Sequence, residues 1–286
     1  MDNFLFIGGD SRLVYAAEKL NKHFDCFIYG QEKTKLAETV KIPALREVTK
    51  CKNVVLGLPA SNDGETINAP NASGVIYPEI ITHSLETGGR VFAGKSFEKL
   101  SKLCETHNFL LFDYFEREEL AVMNSVPSAE GAIEVLMRES DVVIYGMNIL
   151  ITGFGRLAKV LSKYLIALGA RVTIAARKYS DLSWAQITGC ESVHMSNISL
   201  EIGKFDVIFN TVPSEIFGEK EVKAMKPGLL FIELASKLSV SENAPVKLLW
   251  ERSLPGRVAP ITAGRIIADT IMNIITQTER ESSHEN

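Results

Sequence analysis

The stretch at residues 149–178, ILITGFGRLAKVLSKYLIALGARVTIAARK, constrains the fold more than any other part of the chain. It reads as strand, glycine turn, helix, strand. An apolar run, Ile149–Thr152, leads into Gly153-Phe154-Gly155-Arg156-Leu157-Ala158. Leu157, Val160, Leu161, Tyr164, Leu165 and Leu168 then recur at helical spacing, and Gly169 closes the helix. A G-x-G-x-x-A turn in this frame predicts a parallel α/β sheet that binds a dinucleotide. Gly153 permits the tight turn, Gly155 lets main chain approach a pyrophosphate, and the small Ala158 lets the helix pack close to the strand. The amides and partial positive charge at that helix start suit a diphosphate, which assigns Gly153, Phe154, Gly155, Arg156 and Leu157 to the cofactor. The second strand ends on Arg177 and Lys178, where many such units carry an acid for a ribose 2′-hydroxyl. A guanidinium attracts a 2′-phosphate instead, so NADP is the expected cofactor. NAD stays open, because an arginine at a strand end also turns away as a solvated cation.

A chain of 286 residues is comfortable for two domains. A net charge of −4 with 23% charged residues gives no basic excess for nucleic acid. Met1-Asp2-Asn3 lacks the positive region of a secretory signal, and no apolar run approaches bilayer length, so a cytoplasmic protein without a membrane partner is expected. Cys26, Cys51, Cys104 and Cys190 are scattered, with no paired spacing and no nearby histidine, which predicts buried thiols and no metal site.

The first half also alternates strand and helix. Short apolar runs at Phe4–Gly8, Asp25–Tyr29, Asn53–Leu58, Arg90–Ala93 and Phe109–Phe112 predict strands, with helices after Ser11, over Glu79–Glu86 and over Phe97–His107. Residues 60–78 read as a long loop. In the second half Val193–Met195, Phe205–Asn210, Gly228–Leu234 and Lys247–Arg252 continue the strands. Between the halves, Ser125 reads as a cap and Pro127 as the first turn of a helix ending near Ser140. The expected division is an N-terminal domain over 1–123 completed by 262–286, a connecting helix and linker over 124–146, and a nucleotide domain over 147–261.

The runs IGGDSR (7–12), NSVPSAEGAI (124–133), FNTVPSEIF (209–217), ELASK (233–237) and LPGRVAPITAGRI (254–266), with the glycine turn between them, resemble the dipicolinate synthase A-subunit family of endospore-forming bacteria. The motifs occur in the family's order over nearly the whole chain. The resemblance implies a flavodoxin-like N-terminal domain, a Rossmann domain, and a C-terminal helix that returns to the first domain. It implies an NADP-linked subunit that makes pyridine-2,6-dicarboxylate from the dihydrodipicolinate branch, in the mother cell, with the flavoprotein-like B-subunit of dipicolinate synthase as its partner. A homo-oligomer is expected.

A ring substrate with two carboxylates needs cationic or N–H donors at two places. Ser11 and Arg12 at one predicted helix start, Ser125 and Ser128 at a second, and Thr262 at a third are the candidates. Each also reads as a plain cap or surface group. Asn210, Thr211, Val212 and Pro213 follow a strand and are assigned to the nicotinamide side of the cofactor, with Ala235 nearby. Glu130, Lys237 and Asp10 are the acid/base candidates, with helix-start and solvent roles as their alternatives. Two rival functions remain. A 2-hydroxyacid or alanine dehydrogenase relative would share the layout, but the late histidine such hydroxyacid enzymes need is missing between 195 and 283. A non-catalytic NADP-binding docking subunit would fit the lack of an unmistakable acid/base pair.

Overall fold

In the computed structural model, residues 2–44 and 50–284 are described. The chain divides into two compact units, residues 1–124 with 259–286, and residues 125–258.

The first unit opens with β1 (Asn3–Ile7), α1 (Ser11–Leu20), β2 (Asp25–Tyr29), the short α2 (Leu36–Thr39) and β3 (Cys51–Leu56). It continues through α3 (Ile80–Ser84), β4 (Leu85–Ala93), α4 (Glu98–His107), β5 (Leu110–Asp113) and the beginning of α5 (Glu118–Glu139). The five strands are parallel in the order β2-β1-β3-β4-β5, the flavodoxin-like winding. Successive side chains of a strand face opposite ways, and both faces here are covered. Phe4 and Phe6 enter one buried cluster with Val14 and Ile267, while Leu5 and Ile7 enter another with Ile81 and Leu100. That double burial explains why the strands read as continuous apolar runs.

The second unit contains β6 (Asn148–Thr152), α6 (Arg156–Ala167), β7 (Arg171–Ala176), α7 (Tyr179–Ile187), β8 (Glu191–His194) and β9 (Val207–Asn210). It is completed by α8 (Glu219–Ala224), β10 (Leu230–Glu233), β11 (Lys247–Trp250) and α9 (Leu254–Val258). Its parallel order is β11-β10-β9-β6-β7-β8, the Rossmann winding, in which the direction of progression reverses between β6 and β9. Ile149 and Ile151 face one cluster and Leu150 the other. The chain ends in α10 (Pro260–His284), with Pro260 at its first position and Ile266, Ile267, Ile271, Ile274 and Ile275 buried in the first unit's core.

Three expectations need correction. The segment 79–86 is helical only to Ser84, because Leu85 already pairs with Cys51 as strand. The connecting helix does not begin at Pro127: α5 starts at Glu118, and Pro127 lies inside it. Ser125 and Ser128 are therefore interior helix positions and offer no helix N-terminus to an anion. Acidic Glu118 and Glu119 favour the true start, and burial of Leu120, Ala129, Ala132, Val135 and Leu136 holds the helix across the proline despite its lost hydrogen bond. Finally, α10 opens at Pro260, so Thr262 sits exposed in its first turn.

Candidate nucleotide-binding site

The site of the second unit is built where β6 meets α6. Gly153 has φ +80°, a conformation that a side chain strains, and a Cβ there would stand 2.9 Å from Val212 Cγ2. Gly155 is different. It has no neighbour within 4 Å of where a Cβ would stand, and it caps α6 with no side-chain hydrogen bond. Space thus stands open beside Gly155 at a helix start, as the approach of a pyrophosphate requires. Phe154 and Ala158 are buried beneath the turn, and Arg156 and Leu157 begin the helix.

Beside the turn lies a cavity of about 360 Å³, lined by Gly153, Ala176, Arg177, Lys178, Asp181, Met195, Val212, Ser214, Glu215 and Ile216. Arg177 and Lys178 follow directly on β7, both exposed, and Lys178 caps α7. From the sequence, Val212 is expected on the nicotinamide side. In the structure Val212 and the loop after it, Ser214, Glu215 and Ile216, line the same cavity as Arg177. Thr211 anchors this loop by donating to Thr152 O (2.7 Å), and Pro213 is exposed.

Beneath the crevice a buried polar network ties three strand ends together. Thr152 Oγ1 donates to Asn210 Oδ1. Asn210 Nδ2 donates to Glu233 Oε1 (2.6 Å) and to Val212 O (2.9 Å). Glu233 also accepts from Ala235 N (2.9 Å), Ser239 N (2.9 Å) and Ser239 Oγ (2.6 Å). Thr152, Asn210, Glu233 and Ser239 are all fully buried. Of this network, Asn210, Val212 and Ala235 are singled out in the sequence. Glu233 looks there like an ordinary strand-end acid, and the signal that would have found it is an acid closing an otherwise apolar strand.

The acid/base candidates fall elsewhere. Glu130 is exposed on α5, beside a shallow depression with Ile133, Glu134, Met137 and Arg138. Lys237 is exposed in the loop after β10. In the first unit Asp10 is the cap of α1, accepting from Arg12 N (3.0 Å), and its carboxylate also holds the Arg12 guanidinium at 2.7 Å. Arg12 further donates to Leu58 O at 2.5 Å. Asp10 and Arg12 thus satisfy one another, and Ser11 is the first residue of the helix between them. The four cysteines are buried, and burial pushes the Cys26 thiol up to about 12 and those of Cys51 and Cys104 to about 11. Among the described residues no cluster of His, Cys, Asp or Glu is placed to hold a metal ion, and no helix is long and apolar enough to cross a membrane.

Rossmann strand order, a glycine turn open at Gly155 and a cavity lined by Arg177 and Lys178 as well as Asp181 and Glu215 together mark a dinucleotide-binding domain. Residues 112–259 match the NAD binding domain of the D-isomer specific 2-hydroxyacid dehydrogenases, and residues 3–115 match the N-terminal domain of the dipicolinate synthase A-subunit. The chain belongs to the dipicolinate synthase A-subunit family. It is 30% identical over 196 residues to the dipicolinate synthase A-subunit of Bacillus subtilis (strain 168), an alignment spanning 67% of this chain and 66% of that protein. Its structure is similar to that of the dipicolinate synthase A-subunit from Bacillus halodurans, with a TM-score of 0.84, 26% identity, and 96% and 97% of the two chains covered. The A chain of dipicolinate synthase from Bacillus subtilis shares the fold, with a TM-score of 0.84, 24% identity, and 98% and 97% covered.

Proposed function

We propose that this chain is the NADP-linked subunit of a dipicolinate synthase, and that it oxidises dihydrodipicolinate, or its hydrated precursor, to pyridine-2,6-dicarboxylate together with a flavoprotein-like second subunit. The observation that carries this reading is one cavity lined jointly by the glycine turn and by Arg177 and Lys178, in a chain of this family. The main-chain amides from Gly153 to Leu157 would hold the diphosphate, and Arg177 and Lys178 a 2′-phosphate. Asp181 and Glu215 share the lining, so a ribose hydroxyl would also find acceptors there, and NAD is the alternative cofactor.

When bound, the nicotinamide supplies the hydride acceptor. The chain's own part is to hold that ring still, bind the dicarboxylate and take up a proton. Glu233 serves the first task by fixing both the Asn210–Val212 and Ala235–Ser239 loops with charge-assisted hydrogen bonds. Ser11 and Thr262 are helix-start donors for carboxylates. Glu130 and Lys237, exposed and outside every ion pair among the described residues, are the acid/base candidates, the carboxylate as proton acceptor and the ammonium as proton donor. Asp10 is already committed to its helix and to Arg12.

A second reading has its own support. No acid/base candidate lines the nucleotide cavity, which favours an NADP-binding subunit that docks a partner carrying the chemistry. The test is to incubate the purified chain with dihydrodipicolinate and NADP⁺, with and without the flavoprotein-like partner. NADPH and dipicolinate formed without the partner support the enzymatic reading. Product formed only with the partner, at a rate that Glu130→Gln and Lys237→Ala leave unchanged, supports docking, and product in neither mixture overturns both.

A further inference from the structure

We infer that His194 is a positioning residue that sets the nucleotide preference of this site through Arg177, an assignment that rests on the nucleotide reading above. His194 ends β8 and stands beside Ala176 in the parallel register of β7 and β8. Its Nε2 lies 3.0 Å from the main-chain oxygen of Arg177. A carbonyl only accepts, so Nε2 carries the hydrogen. The other ring nitrogen, Nδ1, accepts from Ser196 N at 3.3 Å and pairs with Ser196 Oγ at 2.8 Å. Both ring nitrogens are therefore satisfied by one neutral tautomer, and the orientation of the ring is fixed. The ring also stacks on Tyr179, with centroids 5.2 Å apart and planes at 23°.

These contacts bracket the turn Arg177-Lys178-Tyr179 from both ends: a hydrogen bond holds its first residue and a ring face its last. Arg177, Lys178, Asp181 and, on the other side, Met195 next to His194 all line the cavity. A long guanidinium on an exposed turn gives up considerable rotamer freedom when it engages a phosphate. A turn pinned at the carbonyl of that residue lowers the ordering cost. The 2′-phosphate alone benefits, because the diphosphate is held at Gly153–Leu157 instead.

The test measures Kd for NADP⁺ and NAD⁺ by titration calorimetry on His194→Phe, His194→Gln and wild type. Phenylalanine keeps the stacking face and loses both the Nε2–H donor and the Nδ1 acceptor that Ser196 uses, whereas glutamine restores an N–H at similar reach. His194→Phe is expected to weaken NADP⁺ about fivefold, the effect of losing the bond to the Arg177 carbonyl, and to leave NAD⁺ within about twofold. His194→Gln should recover most of the NADP⁺ affinity. In an Arg177→Ala background, adding His194→Phe should leave the NADP⁺/NAD⁺ ratio nearly unchanged, because the two residues act as one unit. An unchanged ratio in folded His194→Phe, or a full second loss on top of Arg177→Ala, would overturn the assignment. Wild type that binds neither nucleotide would instead sink the nucleotide reading itself.

Discussion

The two units wind the same kind of parallel sheet, yet their carboxyl-end crevices are finished in opposite ways. At the β1/β3 switch of the first unit the groups next to the glycine loop satisfy one another. A Cβ on Gly57 would stand 2.7 Å from the Cα of Gly9, so the two loops touch. Gln31 is buried and donates to the carbonyls of Gly8 (2.6 Å) and Gly9 (3.0 Å), and Asp10 locks Arg12. At the β6/β9 switch of the second unit the polar network lies underneath, and Gly155 and Arg177 face open space. Strand order alone marks both places as candidate sites. What differs between them is whether the side chains nearest the glycine loop have already satisfied one another.

The largest expected effect comes from breaking the floor of the open crevice. Every partner of Glu233 is a donor, so Glu233→Gln turns an amide N–H toward at least one of them. Thermal and urea unfolding should register a loss of about 3 kcal/mol. A loss under about 1 kcal/mol would mean that the network is not what ties the loops together.

Arg177→Asp comes next, replacing attraction with repulsion at the cavity wall. NADP⁺ affinity should fall by about 100-fold while NAD⁺ stays within about threefold. Its counterpart in the first unit is Arg12→Ala, which should leave nucleotide affinity alone and lower stability by about 2 kcal/mol, because Asp10 and Leu58 O lose their partner. An exchange of these outcomes between the two arginines would reverse the comparison. The smallest effect is that of Gly155→Ala. Since nothing stands within 4 Å of the added methyl, the melting temperature should hold within about 2 °C, while either nucleotide binds about fivefold more weakly from lost main-chain approach.

Much of the fold is legible in the sequence because doubly covered parallel strands are continuous apolar runs. The segment from Ile149 to Ala176 is the clearest instance, and the strand Asp25–Tyr29 has the same bounds as the apolar run that marks it. The start of α5 misleads for a local reason. Pro127 with Ser125 before it resembles a helix opening, and only packing at Leu120 and Ala129, invisible at short range, carries the helix through. The glycine turn and Arg177 are legible because they obey a local spacing rule. Glu233, Ser239 and His194 are not, because the contacts that define their roles reach partners 6 to 23 residues away and form only in the folded chain.

Titration of the wild-type chain with NADP⁺ and with NAD⁺ in a calorimeter tests the central claim most directly. Saturable binding of NADP⁺, tighter than that of NAD⁺ and weakened by Arg177→Asp, is the predicted result. No heat of binding from either nucleotide would contradict it, leaving the crevice between β6 and β9 without the ligand its glycine turn and arginine imply.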